Sequence, residues 1–425
     1  MNMINVRRLA VMTFLGAGML SDISAQDFSL QADTLNEARL PAQWDLQSCI
    51  DYALEQNITI RKNRVTAEST QIDVKTAKAA LFPSLSFSTS QQVVNRPYQE
   101  TSSRVSGSEI ISSNSKTSYN GNYGLNASWT IYNGSKRLKT LKQERLNNQV
   151  AELDVATSEN TIKESIAQIY IQILYAAESV RVNENTLQVS IAQRDRGQEL
   201  LNAGSIAKSD FAQLEAQVST DRYQLVTAQA TLQDYKLQLK QLLELDGENE
   251  MNVYLPKLSD ENVLAPLPAK KDVYVSALAI RPEIEASKLN VEASELGIDI
   301  AKSSYFPTIS LSAGIGTNHT SGSDFTFGEQ VKNGWNNSIG LSVSVPIFNN
   351  RQTKSAVQKA KLQRETDMLS LLDEQKALYK TIESLWLDAN SAQQRYAAAN
   401  EKLRSTQISY DLISEQFNLC LLYTS

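Results

Sequence analysis

The stretch Tyr119-Asn120-Gly121-Asn122-Tyr123-Gly124-Leu125-Asn126-Ala127-Ser128-Trp129-Thr130-Ile131 decides the fold. Gly121 apart, its odd positions carry tyrosine, leucine, alanine, tryptophan and isoleucine. Its even positions are Asn120, Asn122, Gly124, Asn126, Ser128 and Thr130. A period of two puts these sets on opposite faces of a β-strand. One face is apolar with aromatics, and the other is polar without a charge. Taken singly, such a segment reads as a half-buried strand of a soluble sheet.

The pattern returns elsewhere. Trp335–Ile347 sets Ile339, Leu341, Val343, Val345 and Ile347 against Asn336, Ser338, Gly340, Ser342 and Ser344, and weaker versions stand at Leu85/Phe87 and Ile309/Leu311/Ala313/Ile315. Four uncharged segments of about ten residues, with aromatics towards their ends, predict lipid-facing strands of a membrane barrel. Trp129, Leu341 and Val343 are then expected to face lipid. The intervening loops 91–118 and 316–334 are rich in Ser, Asn and Gly, as external loops of a barrel are. His319 falls in the second of them and is expected to be a solvated loop residue.

These segments belong to an internal repeat. Ala53–Ser88 falls on Ala277–Ser312 at a shift of 224 with ten identities in 36 positions, where ordinary composition gives about two or three. Further on the shift is 216, bringing Gly124–Asn133 onto Gly340–Asn349. Each copy starts with a helix, about 58–81 and about 282–304. Pro83 or Pro307 then stops it, because the residue before proline is pushed out of the α region. After each strand pair, at Asn133 and Asn349, a long helix begins. Residues 134–200 extend about 100 Å at about 1.5 Å per residue. Ile162, Ile166, Ile169, Ile173, Ala176 and Val180 follow a 4,3 alternation, and so does the returning helix from Phe211 to Leu242. A sustained 3.5-residue period means coiled-coil packing. The second copy repeats it from Leu371 to Leu403. Between the paired helices Asn202–Asp210 reads as a hairpin turn, with Gly204 to stop one helix and Ser209 or Asp210 to cap the next.

Composition narrows the function. The 425 residues carry Lys+Arg 41 against Asp+Glu 47, a net charge of −6, so the one-signed basic surface of a nucleic-acid partner is missing. One histidine and two cysteines, Cys49 and Cys420, are too few for a Cys/His metal centre or a disulfide framework. No nucleophile elbow, phosphate loop or metal-ligand spacing is present, so no catalytic residue, cofactor or metal is expected. Cys49 reads as a small buried residue of the first helix. Residues 1–25, with Arg7 and Arg8, the apolar Leu9–Leu20 and Ile23-Ser24-Ala25 before Gln26, read as a secretory signal.

Taken in order, these features resemble the TolC-type outer-membrane efflux proteins. The similarity covers about 43–420 and is carried by Phe82-Pro83-Ser84, Phe306-Pro307-Thr308, Ile131-Tyr132-Asn133-Gly134, Ile347-Phe348-Asn349-Asn350 and Gly204–Asp210. The resemblance implies a homotrimer whose twelve strands form one outer-membrane barrel, continued by a helical tunnel through the periplasm. It also implies that the tip Gly204, Ser205, Ile206, Ser209 and Asp210 docks a periplasmic adaptor serving an inner-membrane transporter. The residues alone require self-association, since four strands cannot close a membrane barrel. They leave two, three or four copies open.

The expected organisation is therefore mainly α with membrane β-strands. A signal peptide spans 1–25 and a first repeat 26–245, with strand pair 83–132 and helical hairpin 134–245. A linker covers 246–272. A second repeat occupies 273–420, with strand pair 307–347 and long helix 349–416, and residues 421–425 form an atypical tail. The second repeat departs from the family at its end: nothing matches the returning helix 205–245, so the seam from Leu371 to Leu403 is expected to lack its partner. The competing reading is a soluble periplasmic or surface coiled-coil protein with a soluble β-domain.

Overall fold

The structure, a computed structural model, describes residues 43–98, 102–106, 109–113, 116–246, 251–256, 263–321, 323 and 325–418, with the backbone alone for 102–113 and 417–418. The signal segment, Cys420 and the tail lie outside the described residues.

The chain enters through two short helices. In α1 (Leu46–Gln56), Asp45 caps the N-terminus by accepting from the Ser48 amide at 2.7 Å. Asn57 ends α1 and begins α2 (Ile58–Ala79). Its Oδ1 accepts from the amides of Thr59 and Ile60, and its Nδ2 donates to the carbonyl of Leu242, 185 residues away, at 3.0 Å. This buried side chain thus satisfies groups at the start of one helix and the end of another.

After Pro83 comes β1 (Ser84–Asn95), then a small hairpin, β2 (Ser102–Ser106) with β3 (Glu109–Ser113), then β4 (Thr117–Asn133). Helix α3 (Lys136–Asn202) has 67 residues and α4 (Lys208–Leu242) runs back along it. The second repeat supplies α5 (Lys270–Ile280), α6 (Pro282–Ser303), β5 (Thr308–Thr320), the short α7 (Phe327–Asn333), β6 (Asn336–Ser344) and α8 (Gln352–Asn418). The four long strands form one antiparallel sheet in the order β1-β4-β5-β6, so the two repeats meet at the β4–β5 ladder.

The core follows the heptads. Ile162, Ile166, Ile173 and Ala176 of α3 are buried, as are Val218 and Leu239 of α4. The main cluster joins α3 to Cys49 and Ala53 of α1, Ile60 of α2, Leu239 and Leu243, and Met251 and Val253. Ile60 and its repeat counterpart Ile284 are both fully buried. One polar residue breaks the α4 seam: Asp221 is buried and accepts from the Gln217 amide at 2.9 Å.

Several expectations need correction. Residues 91–95 and 316–320 extend β1 and β5 rather than forming loops, and what remains of each loop carries a hairpin or a short helix. His319 accordingly lies in β5, its ring stacked on Tyr123 at 5.9 Å and edge-on to Phe327 at 5.0 Å. Aromatic neighbours across the strands hold it, which composition of the segment did not reveal. The strand expected to reach Ile347 stops at Ser344, where Thr308 ends the opposing β5 and Pro346 offers no amide. Ile131, read as part of the apolar face, is the extra residue of a bulge between Thr130 and Tyr132. Tyr132 instead faces Ile309.

The α8 seam is partly covered. Segment 263–269 and α5 lie along it, with the Trp386 indole donating to the Pro268 carbonyl at 3.1 Å and the Gln393 amide to Val263 and Ala265 at 2.9 and 2.7 Å. The Lys270 ammonium pairs with Glu383 at 3.2 Å and sits 4.7 Å over the Trp386 ring. A proline-rich stretch without periodicity does this by lending carbonyls to side chains of α8. The cover leaves gaps in the stripe: Leu385, and Leu403 beyond Tyr396, are both exposed.

Candidate functional site

Three places carry the functional reading: the two faces of the sheet, the joints between sheet and helices, and the hairpin tip. On the sheet, register fixes which residues share a face. Phe87, Leu125 and Ile315 are cross-strand neighbours, as are Leu85, Ala127, Ala313 and Ile339, then Trp129, Leu311 and Leu341, then Ile309 and Val343. This makes one continuous apolar face across both repeats. Most of these side chains are exposed to solvent in the single chain, and contiguous exposed apolar residues mark a surface for interaction with protein or membrane. Among the described residues no helix is long and apolar enough to cross a membrane.

The opposite face is tied together by its own hydroxyls and amides. Ser84 and Ser128 share a hydrogen bond at 3.2 Å, Asn126 donates to Ser88 at 3.3 Å, and Asn122 donates to Ser90 at 3.3 Å. Ser312 and Ser342 donate to the carbonyls of Gly340 and Ser310.

Trp129, Leu341 and Val343 all stand on the apolar face, the first two in one cross-strand row through Leu311. Val343 is one residue from the end of β6, and Trp129 lies beyond the start of β1. The Trp129 indole donates to the carbonyl of Leu81 at 2.9 Å. Leu341, opposite Leu311, is two residues further into β6 than Val343.

At the joints, Pro83 and Pro307 stand immediately before β1 and β5, while Asn133 ends β4. Beyond Asn133 the chain turns sharply, with Gly134 and Ser135 both left-handed at φ 65° and 63°. Gly134 is required there by space as well as by φ: an added Cβ would lie 2.6 Å from the Ser303 carbonyl oxygen and 3.0 Å from the Phe306 Cβ. Arg137 then donates to the Ala80 carbonyl at 2.6 Å. In the second repeat Asn349 bonds Thr353 through their side chains, and Asn350 and Arg351 take the left-handed pair at φ 52° and 65°.

At the tip, Ala203, Gly204 and Ser205 send their amides back to Glu199, Leu201 and Leu200 at 3.0, 3.0 and 2.8 Å, closing α3 in a glycine-centred stop. Gly204 has φ 73° and open space where a Cβ would point, so only its backbone angle calls for glycine. The next helix starts earlier than expected. Ala207 precedes it, and Asp210, three residues in, accepts from the Ala207 amide at 3.4 Å while Ser209 donates to Asp210 at 3.3 Å. Ser209 and Asp210 are thus first-turn residues rather than the cap itself. Ser205 is exposed, whereas Ile206 is half-buried and lines a cleft with Gly197, Leu200 and Leu214.

Sequence reasoning missed Trp129–Leu81, Arg137–Ala80 and the Gly134 cradle. The glycine two places after Tyr132 was the one available signal. Burial pushes the Cys49 thiol up to about 12, with Asp45 adding to the rise, so it behaves as an apolar group. Among the described residues no cluster of His, Cys, Asp and Glu could hold a metal ion.

A sheet with an uncharged apolar face, set on a helical hairpin whose α3 is about 100 Å long, is the plan of a chain that lends strands to a shared barrel and helices to a shared tube. The chain belongs to the outer membrane efflux protein family, whose pattern it matches over residues 49–244 and 273–419. It is similar to the outer membrane efflux protein BepC of Brucella suis, 26% identical over 260 residues covering 61% of this chain and 54% of that one. With the outer membrane protein TolC of Escherichia coli it shares 24% over 309 residues, 69% of this chain and 60% of the relative. The chain thus spans between half and two thirds of these two relatives. Its fold matches that of CusC at 20% identity, with a TM-score of 0.69 over 88% of this chain and 82% of the other. The outer membrane protein VceC of Vibrio cholerae matches at 16% identity and 0.71, over 88% and 85%.

Proposed function

We propose that this chain is the outer-membrane channel subunit of a tripartite efflux system. Three copies pool their four strands into a twelve-stranded barrel in the outer membrane, and their helices form a tunnel reaching into the periplasm. Small molecules, or polypeptides, pass through it. The tip around Gly204, Ser205 and Ile206 meets a periplasmic adaptor, which links the channel to an inner-membrane transporter. The single observation carrying this reading is the apolar face shared by both repeats, from Leu85 through Ala127 and Ala313 to Ile339 across all four strands, flanked by Phe87, Leu125 and Ile315 and by Ile309 and Val343. A soluble β-domain would need a covering layer, and nothing among the described residues covers this face except α7 near its far end, where Thr317 donates to the Val331 carbonyl.

Two measurements test it. The protein should fractionate with the outer membrane, require detergent, and conduct ions in planar bilayers; a monomer soluble without detergent sinks the proposal. Ser205→Glu changes an exposed side chain at the turn, so oligomer and insertion should survive while efflux and adaptor cross-linking are lost. Ile206→Glu should in addition loosen the hairpin, because Ile206 packs between α3 and α4. Normal drug efflux by Ser205→Glu would exclude the tip as docking site.

A further inference from the structure

The seam between the two repeats is visible inside one chain, and the repeat shifts carry it to the seam between chains. In β4–β5, Ala127 lies opposite Ala313, Leu125 opposite Ile315 and Trp129 opposite Leu311. Adding 216 to the β4 member gives β6, and subtracting 224 from the β5 member gives β1. Both β6 and β1 are edge strands, with one ladder unpaired in the single chain. The shifted pairs are Val343 opposite Thr89, Leu341 opposite Gln91 and Val345 opposite Phe87. Thr89 faces Tyr123 across β4 and so lies on the apolar face with Phe87, the same face as Val343. The shifted register therefore keeps the alternation continuous, which a slip of one residue would destroy. Beyond the bulge, Tyr132 opposite Ile309 becomes Phe348 opposite Leu85. Phe348 is 84% and Leu85 70% exposed in the single chain, so each finds in the other an apolar neighbour.

The same shifts show a difference at the joint. Gly134 presses on Ser303 and Phe306; its counterpart Asn350, equally left-handed, would press on Ala79 and Phe82 of the neighbouring copy. A side chain cannot occupy a space where a Cβ comes within 2.6 Å of a carbonyl oxygen. The bonds differ as well. Lys139–Asp299 and Lys142–Glu292 pair across the inner seam at 3.7 and 3.5 Å, whereas their counterparts are Ser355 with Lys75 and Gln358 with Glu68, neither an ion pair.

We propose that β6 of one copy pairs with β1 of the next in the register Val343 opposite Thr89, and that this seam is held less tightly at its joint than the seam inside the chain. The proposal rests on the channel reading above and adds its register and its weak point. The variant Val343→Cys/Thr89→Cys should form a disulfide-linked ladder of multimers on mild oxidation, with each single variant as control. Leu341→Cys/Thr89→Cys, offset by two residues, should not. An oligomer that links through the offset pair alone overturns the register while leaving the channel reading intact; a chain that extracts only as a monomer overturns both. Asn350→Gly should raise the temperature at which the oligomer dissociates by several degrees. An unchanged or lower value overturns the loose joint.

Discussion

The two joints between sheet and helices descend from one repeated pattern and have diverged in how they are fastened. The first is crowded: Gly134 presses on Ser303 and Phe306, the Trp129 indole is bound to Leu81, and Arg137 is bound to Ala80. In the second, Val345 stands for Trp129, Thr353 for Arg137 and Asn350 for Gly134, and Ile347 and Phe348 are left almost fully exposed. What differs is the neighbour. The first joint finds its partner inside the same chain, at the end of α6, while the second turns its apolar residues outward. The helix starts differ in the same sense. Asn57 caps α2 and ties it to Leu242 at the end of α4. Its counterpart Arg281 has no side-chain cap and pairs with Glu283 at 3.5 Å.

The largest effect expected from breaking this contrast is at Gly134. Gly134→Val places a β-branched side chain at positive φ and against a backbone carbonyl. It should cost about 4 kcal/mol, from left-handed strain plus overpacking. Asn350→Ala, at the exposed counterpart, should cost about 1 kcal/mol. Thermal unfolding in detergent reads both, and equal losses would erase the distinction between the joints.

Next come the strands. Leu341→Arg should impair membrane assembly, and Val343→Arg, closer to the joint, visibly less, because the penalty falls from about 2–4 kcal/mol at the midplane towards the interface. Ser342→Arg, on the opposite face, should assemble and change single-channel conductance. If Ser342→Arg blocks assembly as strongly as Leu341→Arg, the two faces have been assigned wrongly.

The smallest of the three concerns the caps. Asn57→Ala removes a buried acceptor for two amides and a donor to Leu242, and should cost about 2 kcal/mol. Arg281→Ala should stay within about 0.5 kcal/mol. A denaturation series on the two variants checks the ratio, which a shared capping role would bring to unity.

Much of this architecture was legible because it is periodic. Alternation along Tyr119–Thr130 and the 4,3 spacing from Ile162 to Ala176 report directly which side of a strand or helix meets the core or its surroundings. The repeat placed both prolines and both long helices before any contact was known. Single contacts across the chain were not legible. His319 looks like loop because Ser, Gly and Asn surround it, and only the pairing of β5 with β4 sets its ring over Gly121, beside Tyr119 and Tyr123. The bulge at Ile131 depends on how two strands are aligned rather than on either alone. Cover for α8 by residues 263–269 rests on backbone carbonyls, which every sequence has. At the tip, the glycine announced the stop, but Asp210 acts from inside the first turn, one of two placements that favour the same residue type.

The polar face of the sheet has a kinetic consequence. Its serines and asparagines already donate to one another and to strand carbonyls, as in Ser84 with Ser128, Asn126 with Ser88 and Ser342 with Ser310. No Lys, Arg, Asp or Glu interrupts that side from Ser84 to Ser90, from Asn122 to Thr130 or from Ser338 to Ser344. If that side lines the passage, a solute must compete with existing bonds for each new one, and the exchange returns on the order of 1 kcal/mol or less per contact. The wall would then act as a low-friction surface, wetted but not adhesive. Molecules of unrelated shape and charge would share the route with short dwell times, and choice of cargo would have to be made upstream of the strands.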